Sequence, residues 1–139
     1  MAVAVGCLML SGCIYTVNYT TEPAGAILTY QDGDPIGMTP VSRDYREDSR
    51  YMDDEGCMLV YGVTATWASG ARASTGRTIR LCKGIGDYRV HLVRPADAPG
   101  LETDIRVATM LTDAAARRKK EAEDELAESL DDLVQTMLI

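Results

Sequence analysis

Four cysteines and one histidine are the residues best suited to chemistry in this chain of 139 residues. The cysteines are Cys7, Cys13, Cys57 and Cys82, and the histidine is His91. A tetrahedral zinc site needs closely spaced thiolate or imidazole pairs, and no Cys-x-x-Cys occurs. His91 stands alone between Arg89 and Val93 on one strand face, the pattern of a structural or solvated histidine. Nucleophilic catalysis needs a serine or cysteine held against a base. Ser42, Ser69 and Ser74 read as loop residues without such a context. Gly84-Ile85-Gly86 is too short for a phosphate cradle and precedes a strand rather than a helix. The chain therefore reads as non-catalytic, with no metal and no cofactor expected. Trp67 is the one aromatic that suggests a ligand. It closes the longest strand-like run, just before a small-residue loop to Gly76, and is either a stacking surface for a sugar ring or a core residue.

Charge narrows the partners. Lys and Arg number 14 against 21 Asp and Glu, a net of −7. Nucleic acid is thereby disfavoured, because neutralising phosphates needs cationic faces. The charges are also unevenly spread: none occurs before Glu22. Residues 13–103 hold 12 acidic and 9 basic side chains, and residues 104–139 hold 9 and 5. The Met1–Leu10 run is roughly half the ~20 apolar residues that a membrane-spanning helix requires. An apolar run of about 7–15 residues ending in small residues is instead the core of a secretory signal. Leu10-Ser11-Gly12-Cys13 resembles a lipobox, the recognition site of bacterial lipoprotein signal peptidase. The resemblance implies a signal peptide over 1–12, cleavage before Cys13 and acylation of that cysteine. The usual Lys or Arg before the apolar core is missing. Ile14 after the cysteine resembles the pattern of lipoproteins sent to the outer membrane, with the mature chain facing the periplasm.

From Ile14 the texture is that of short strands. Tyr15, Val17 and Tyr19 alternate with polar residues at a period of two, and Ala26–Tyr30 resumes after a Pro-Ala-Gly break. Asp32-Gly33 is a hairpin dipeptide. The Cys57–Ser69 run places Tyr61, Val63, Ala65 and Trp67 on one face, and Thr78–Lys83 and Tyr88–Arg94 complete the set. Such spacing without helical periods predicts a small antiparallel sheet or sandwich over 13–98. The stretch Thr21–Val41 is similar to the PEGA repeat, a small β module of bacterial envelope proteins, through Pro23, Gly25, Ala26, Gly33, Gly37, Thr39 and Pro40. Ala24 stands where the family name implies an acid. That resemblance implies a structural or binding module with no catalytic residues. Arg43–Glu55 is dense in charge and reads as a solvated loop, with a partner-facing or cation-binding loop as the alternative.

The lipobox reading divides the cysteines. Cys7 leaves with the signal, Cys13 carries lipid, and Cys57 and Cys82 remain. In an oxidising envelope these two are expected to pair, the alternative being two buried thiols.

Beyond Pro95, Pro99 and Gly100 a helical tail is expected over 99–139, starting near Thr103 or capped by Thr112 or Asp113. Leu126, Leu130, Leu133 and Met137 recur at spacings of 4, 3 and 4, like a coiled-coil seam lasting barely two heptads. Arg117–Glu121, Lys119–Glu123 and Lys120–Asp124 are spaced to pair along the helix. The tail either docks on the sheet, projects to self-associate or meet a partner through 113–139, or lies on a membrane. Together these readings give a mainly β fold with one long C-terminal helix. The expected function is a non-catalytic envelope lipoprotein held to a membrane by its lipid. The alternatives are an envelope glycan or peptidoglycan binder using Trp67, and an accessory subunit of a larger envelope assembly.

Overall fold

The structure is a computed structural model, and it describes residues 14–82 and 87–138. The signal peptide expected over 1–12, Cys13 and Gly84-Ile85-Gly86 lie outside the described residues. The fold is mainly β, with nine strands in three small sheets and one long C-terminal helix among the described residues.

Strand β1 (Ile14–Glu22) is the spine. Its alternation places Tyr15, Val17, Tyr19 and Thr21 inward, all buried, while Thr16, Asn18 and Thr20 point away. On one side it pairs antiparallel with β4 (Val41–Arg46), on the other parallel with β9 (Tyr88–Val93). β2 (Ile27–Tyr30) and β3 (Pro35–Met38) form the hairpin expected of Asp32-Gly33. Gly33 takes φ +96°, the left-handed conformation that such a turn demands, and Asp32 Oδ1 accepts the Asp34 N–H at 3.0 Å. This hairpin continues through β6 (Val63–Thr66) to β7 (Arg72–Ser74) in a four-stranded sheet. β5 (Cys57–Tyr61) and β8 (Thr78–Cys82) form a third, two-stranded sheet.

Three expectations are corrected. The Cys57–Ser69 run is two strands in two sheets, broken at Gly62. A β-carbon on Gly62 would lie 1.8 Å from the Gly76 carbonyl oxygen, so only glycine fits that corner. The break also reverses which parity faces inward. Met58 and Val60 pack on the core before it, Val63, Ala65 and Trp67 after it, and Tyr61 is left exposed. The Arg43–Arg46 part of the charged segment is strand rather than loop. Val41 and Tyr45 turn inward, while Ser42, Asp44 and Arg46 face water along an outer strand, and charge on an outer strand discourages unwanted pairing. Finally, Ser42 and Ser74 sit on strands β4 and β7, not in loops.

One apolar cluster joins the three sheets. Val17, Tyr19, Leu28, Val63, Ala65 and Leu81 are fully buried within it. An isolated two-stranded sheet is marginal in water. Here β5–β8 is clamped at one end by a Cys57–Cys82 disulfide, the two residues standing opposite each other in the ladder. Asp53 Oδ2 accepts from Arg80 Nε at 2.8 Å, and Glu55 accepts from Arg80 Nη2 at 2.7 Å on the same clamp.

Candidate functional site

Helix α1 runs from Leu101 to Met137, directly behind Gly100, which offers no capping side chain. Glu102 and Asp104 in its first turn complement the positive end of the helix dipole. Its root is built around Asp104. The carboxylate accepts Arg94 Nε at 2.6 Å, Ser69 Oγ at 2.6 Å and the Ser69 backbone N–H at 2.9 Å. Arg94 also donates from Nη2 to the Pro99 carbonyl at 2.7 Å and to Ser69 Oγ at 3.4 Å, and from Nη1 to the Pro95 carbonyl at 3.1 Å. Both side chains are withdrawn from water, at 2% and 0% exposure. Burial alone would push the Asp104 carboxyl up, but the bonds from Ser69 and Arg94 outweigh it and hold it below the ordinary carboxylate range.

The root stands on the Gly25 turn and Thr39. Gly25, at φ +95°, lies directly under the helix: a β-carbon there would come within 2.9 Å of both Leu111 Cδ1 and Val107 Cγ1. The turn that holds Gly25 is tied down by Thr39, whose Oγ1 accepts the Gly25 and Ala26 N–H groups at 3.1 Å each. Thr21 donates its only hydroxyl proton to the Pro23 carbonyl, so the 2.6 Å bond between Thr21 and Thr39 carries the Thr39 proton.

Past its root the helix leaves the β domain. Asp104, Val107, Ala108, Leu111 and Ala114 are buried or half-buried at helical spacing, and every residue from Ala115 to Leu138 is exposed. The seam residues Leu126, Leu130, Leu133 and Met137 are 53–83% exposed in this chain. Both docking and projection are therefore present, on successive parts of one helix. Among the described residues the ion pair within the helix is Arg106–Glu102 at 3.4 Å, and the three pairs expected from Arg117 to Asp124 are not formed. No helix among the described residues is long and apolar enough to cross a membrane.

Two grooves flank these elements. One of about 640 Å³ lies between the helix root and the β1–β9 edge, lined by Pro23, Val93, Leu101 and Ile105. The other, about 600 Å³, lies between β4 and β5 and is walled by Tyr30, Tyr45, Tyr51 and Tyr61 with Asp44 and Arg46 at its rim. Tyr45 is the hinge of that wall, its hydroxyl bonded to Tyr19 at 2.6 Å and Tyr30 at 3.0 Å. Burial, then these hydroxyl neighbours, push Tyr45 well above the usual phenol range.

Trp67 is corrected as a ligand-binding residue. It is 2% exposed, and its indole N–H donates to the Pro23 carbonyl at 2.8 Å, so neither face is open to a sugar. His91 is a surface strand residue, with Nδ1 2.8 Å from Thr20 Oγ1 and Nε2 3.8 Å from Glu22. Ser69 is half-buried and its hydroxyl is committed to Asp104. The residues that sequence reasoning missed are Arg94 and Asp104. Their signal was the placement of Asp104 on the same helical face as Val107, Ala108 and Leu111. No family model, curated protein or solved structure matches the chain.

Proposed function

We propose that this protein is a non-catalytic lipoprotein of the bacterial envelope, tethered by an acylated Cys13, whose β domain holds a helix out for contact with another protein. One observation carries the presenting role. The Arg94–Asp104–Ser69 cluster fixes the first turns of α1 to the sheet, and the remainder, through Leu138, lies outside the β domain with its apolar side exposed. A buried ion pair whose guanidinium is bonded through all three nitrogens locks orientation more than it adds stability. The tether is supported by the Leu10-Ser11-Gly12-Cys13 motif behind its apolar run, and the outer membrane and periplasm by Ile14. The envelope also suits the Cys57–Cys82 bridge, since disulfides persist in oxidising compartments.

Palmitate labelling with and without globomycin tests the tether. Label on the wild type that disappears in Cys13→Ala is the expected result; no label on the wild type, or undiminished label after the substitution, overturns it. A second reading, glycan binding, rests on the tyrosine-walled groove rather than on Trp67. Titration of intrinsic tyrosine fluorescence with peptidoglycan fragments tests it, and a flat response removes it.

A further inference from the structure

The distal helix is amphipathic in charge as well as hydropathy. Leu126, Leu130, Leu133, Val134, Met137 and Leu138 are all more than half exposed. Every charge from Glu121 to Leu138 is acidic: Glu121, Glu123, Asp124, Glu125, Glu128, Asp131 and Asp132. Nothing in the helix itself balances the outer part of that set. The last turn holds no basic residue, and Asp131 and Asp132 lie near the negative end of the dipole, where cations rather than carboxylates are favoured.

Three occupants could cover the stripe, and charge separates them. A second copy would set one acidic helix end against another, and its seam is too short. Lys119 and Glu123 interrupt it upstream, leaving two heptads where three or four are needed. An anionic membrane surface favours cationic polar faces, the opposite of this one. An apolar groove rimmed by Lys or Arg satisfies both the stripe and its acidic border.

Resting on the presenting role proposed above, we infer that residues 121–138 of α1 are the docking element for a different protein, one offering an apolar groove with a basic rim. The residues beside the stripe fit insertion into a groove. Ser129 and Thr136 line one side of the leucines and Ala127 the other, so from Leu126 onward an uncharged face can approach closely.

The full chain is titrated, by fluorescence anisotropy, into two synthetic helical peptides that share a leucine stripe, one flanked by lysines and one by glutamates. The lysine peptide is expected to bind roughly tenfold or more tightly than its counterpart, to weaken as salt rises, and to be lost in Leu130→Asp/Leu133→Asp. The same double variant is expected to keep the wild-type melting of the β domain, since both positions lie beyond the root. Equal binding of the two peptides overturns the inference, as does lysine-peptide binding that survives the double variant, which would be charge attraction alone. A dimer of the full chain that the double variant dissolves would assign the stripe to a second copy, and phosphatidylglycerol-vesicle adsorption abolished by that variant would assign it to a membrane. Either result overturns the basic-partner reading. Loss of palmitate labelling at Cys13 leaves the peptide assay unchanged, so failure of the tether and failure of the docking element are read separately.

Discussion

Arg94 and Asp104 meet at 2.6 Å across the join of β9 and α1, ten residues apart in sequence and both out of contact with water. Their value lies in what happens when one is lost. A buried pair replaced together by apolar residues of similar volume is often neutral, whereas one left without its partner costs about 3–5 kcal/mol. Asp104→Ala should lower chemical-denaturation stability by that amount and speed amide exchange through residues 101–114. Arg94→Met with Asp104→Leu should recover much of the loss. Equal destabilisation by the single and double changes would show that the pair does not act as a unit.

Gly25 should tolerate no side chain. Its positive φ and the contact under Leu111 and Val107 add together, so Gly25→Ala is expected to cost about 1–3 kcal/mol. Gly33→Ala, with open space around its β-carbon, bears the conformational cost without the contact and should cost less. Thermal melts of the two variants side by side check the order.

The disulfide should matter most to the small sheet it closes. A separation of 25 residues corresponds to about 3 kcal/mol of lost chain entropy in the unfolded state. Cys57→Ser with Cys82→Ser should lower global stability by roughly that much, and hydrogen exchange should rise first in β5 and β8. Uniform acceleration across all strands would contradict a local clamp.

Acid should destabilise the fold through its depressed carboxylates: Asp48 is held low locally by Arg50, and two others tie separate elements together. Asp53 is held below its ordinary range by Arg80 and then by the Cys57 N–H; Asp104 is held there by Ser69 and Arg94 despite its burial. A carboxyl depressed in the folded state contributes stability above its unfolded value, near pH 3.9, and loses it as pH falls through the folded value. Stability measured against pH should therefore fall below about pH 4, and Asp104→Asn should flatten part of that slope while lowering the plateau.

The sheets were readable where burial follows a strict period. Tyr15, Val17 and Tyr19 alternate, and Asp32-Gly33 turns the chain, because each obeys a local rule. Strict alternation puts Tyr61 inward with Val63, but Gly62 reverses parity, and what forbids a side chain there is the Gly76 carbonyl, distant in sequence. Trp67 illustrates the same limit: a lone aromatic after a strand has the same sequence signature whether it faces water or, as here, the Pro23 carbonyl. Arg94 and Asp104 were illegible as a pair because two prolines and a glycine intervene, and charged residues usually remain in solvent. The projecting leucines were visible as a seam, but only the packing of Asp104, Val107 and Leu111 shows where contact with the sheet stops.

The parallel pairing of β1 with β9 has a consequence for reach. Glu22 and Val93 lie side by side at one end of the ladder, and the helix springs from that end, while Ile14 stands at the other. Nine extended residues span about 30 Å. Under the Cys13 tether proposed above, the helix would stand one strand's length from the anchored end, carried there by the β1–β9 ladder.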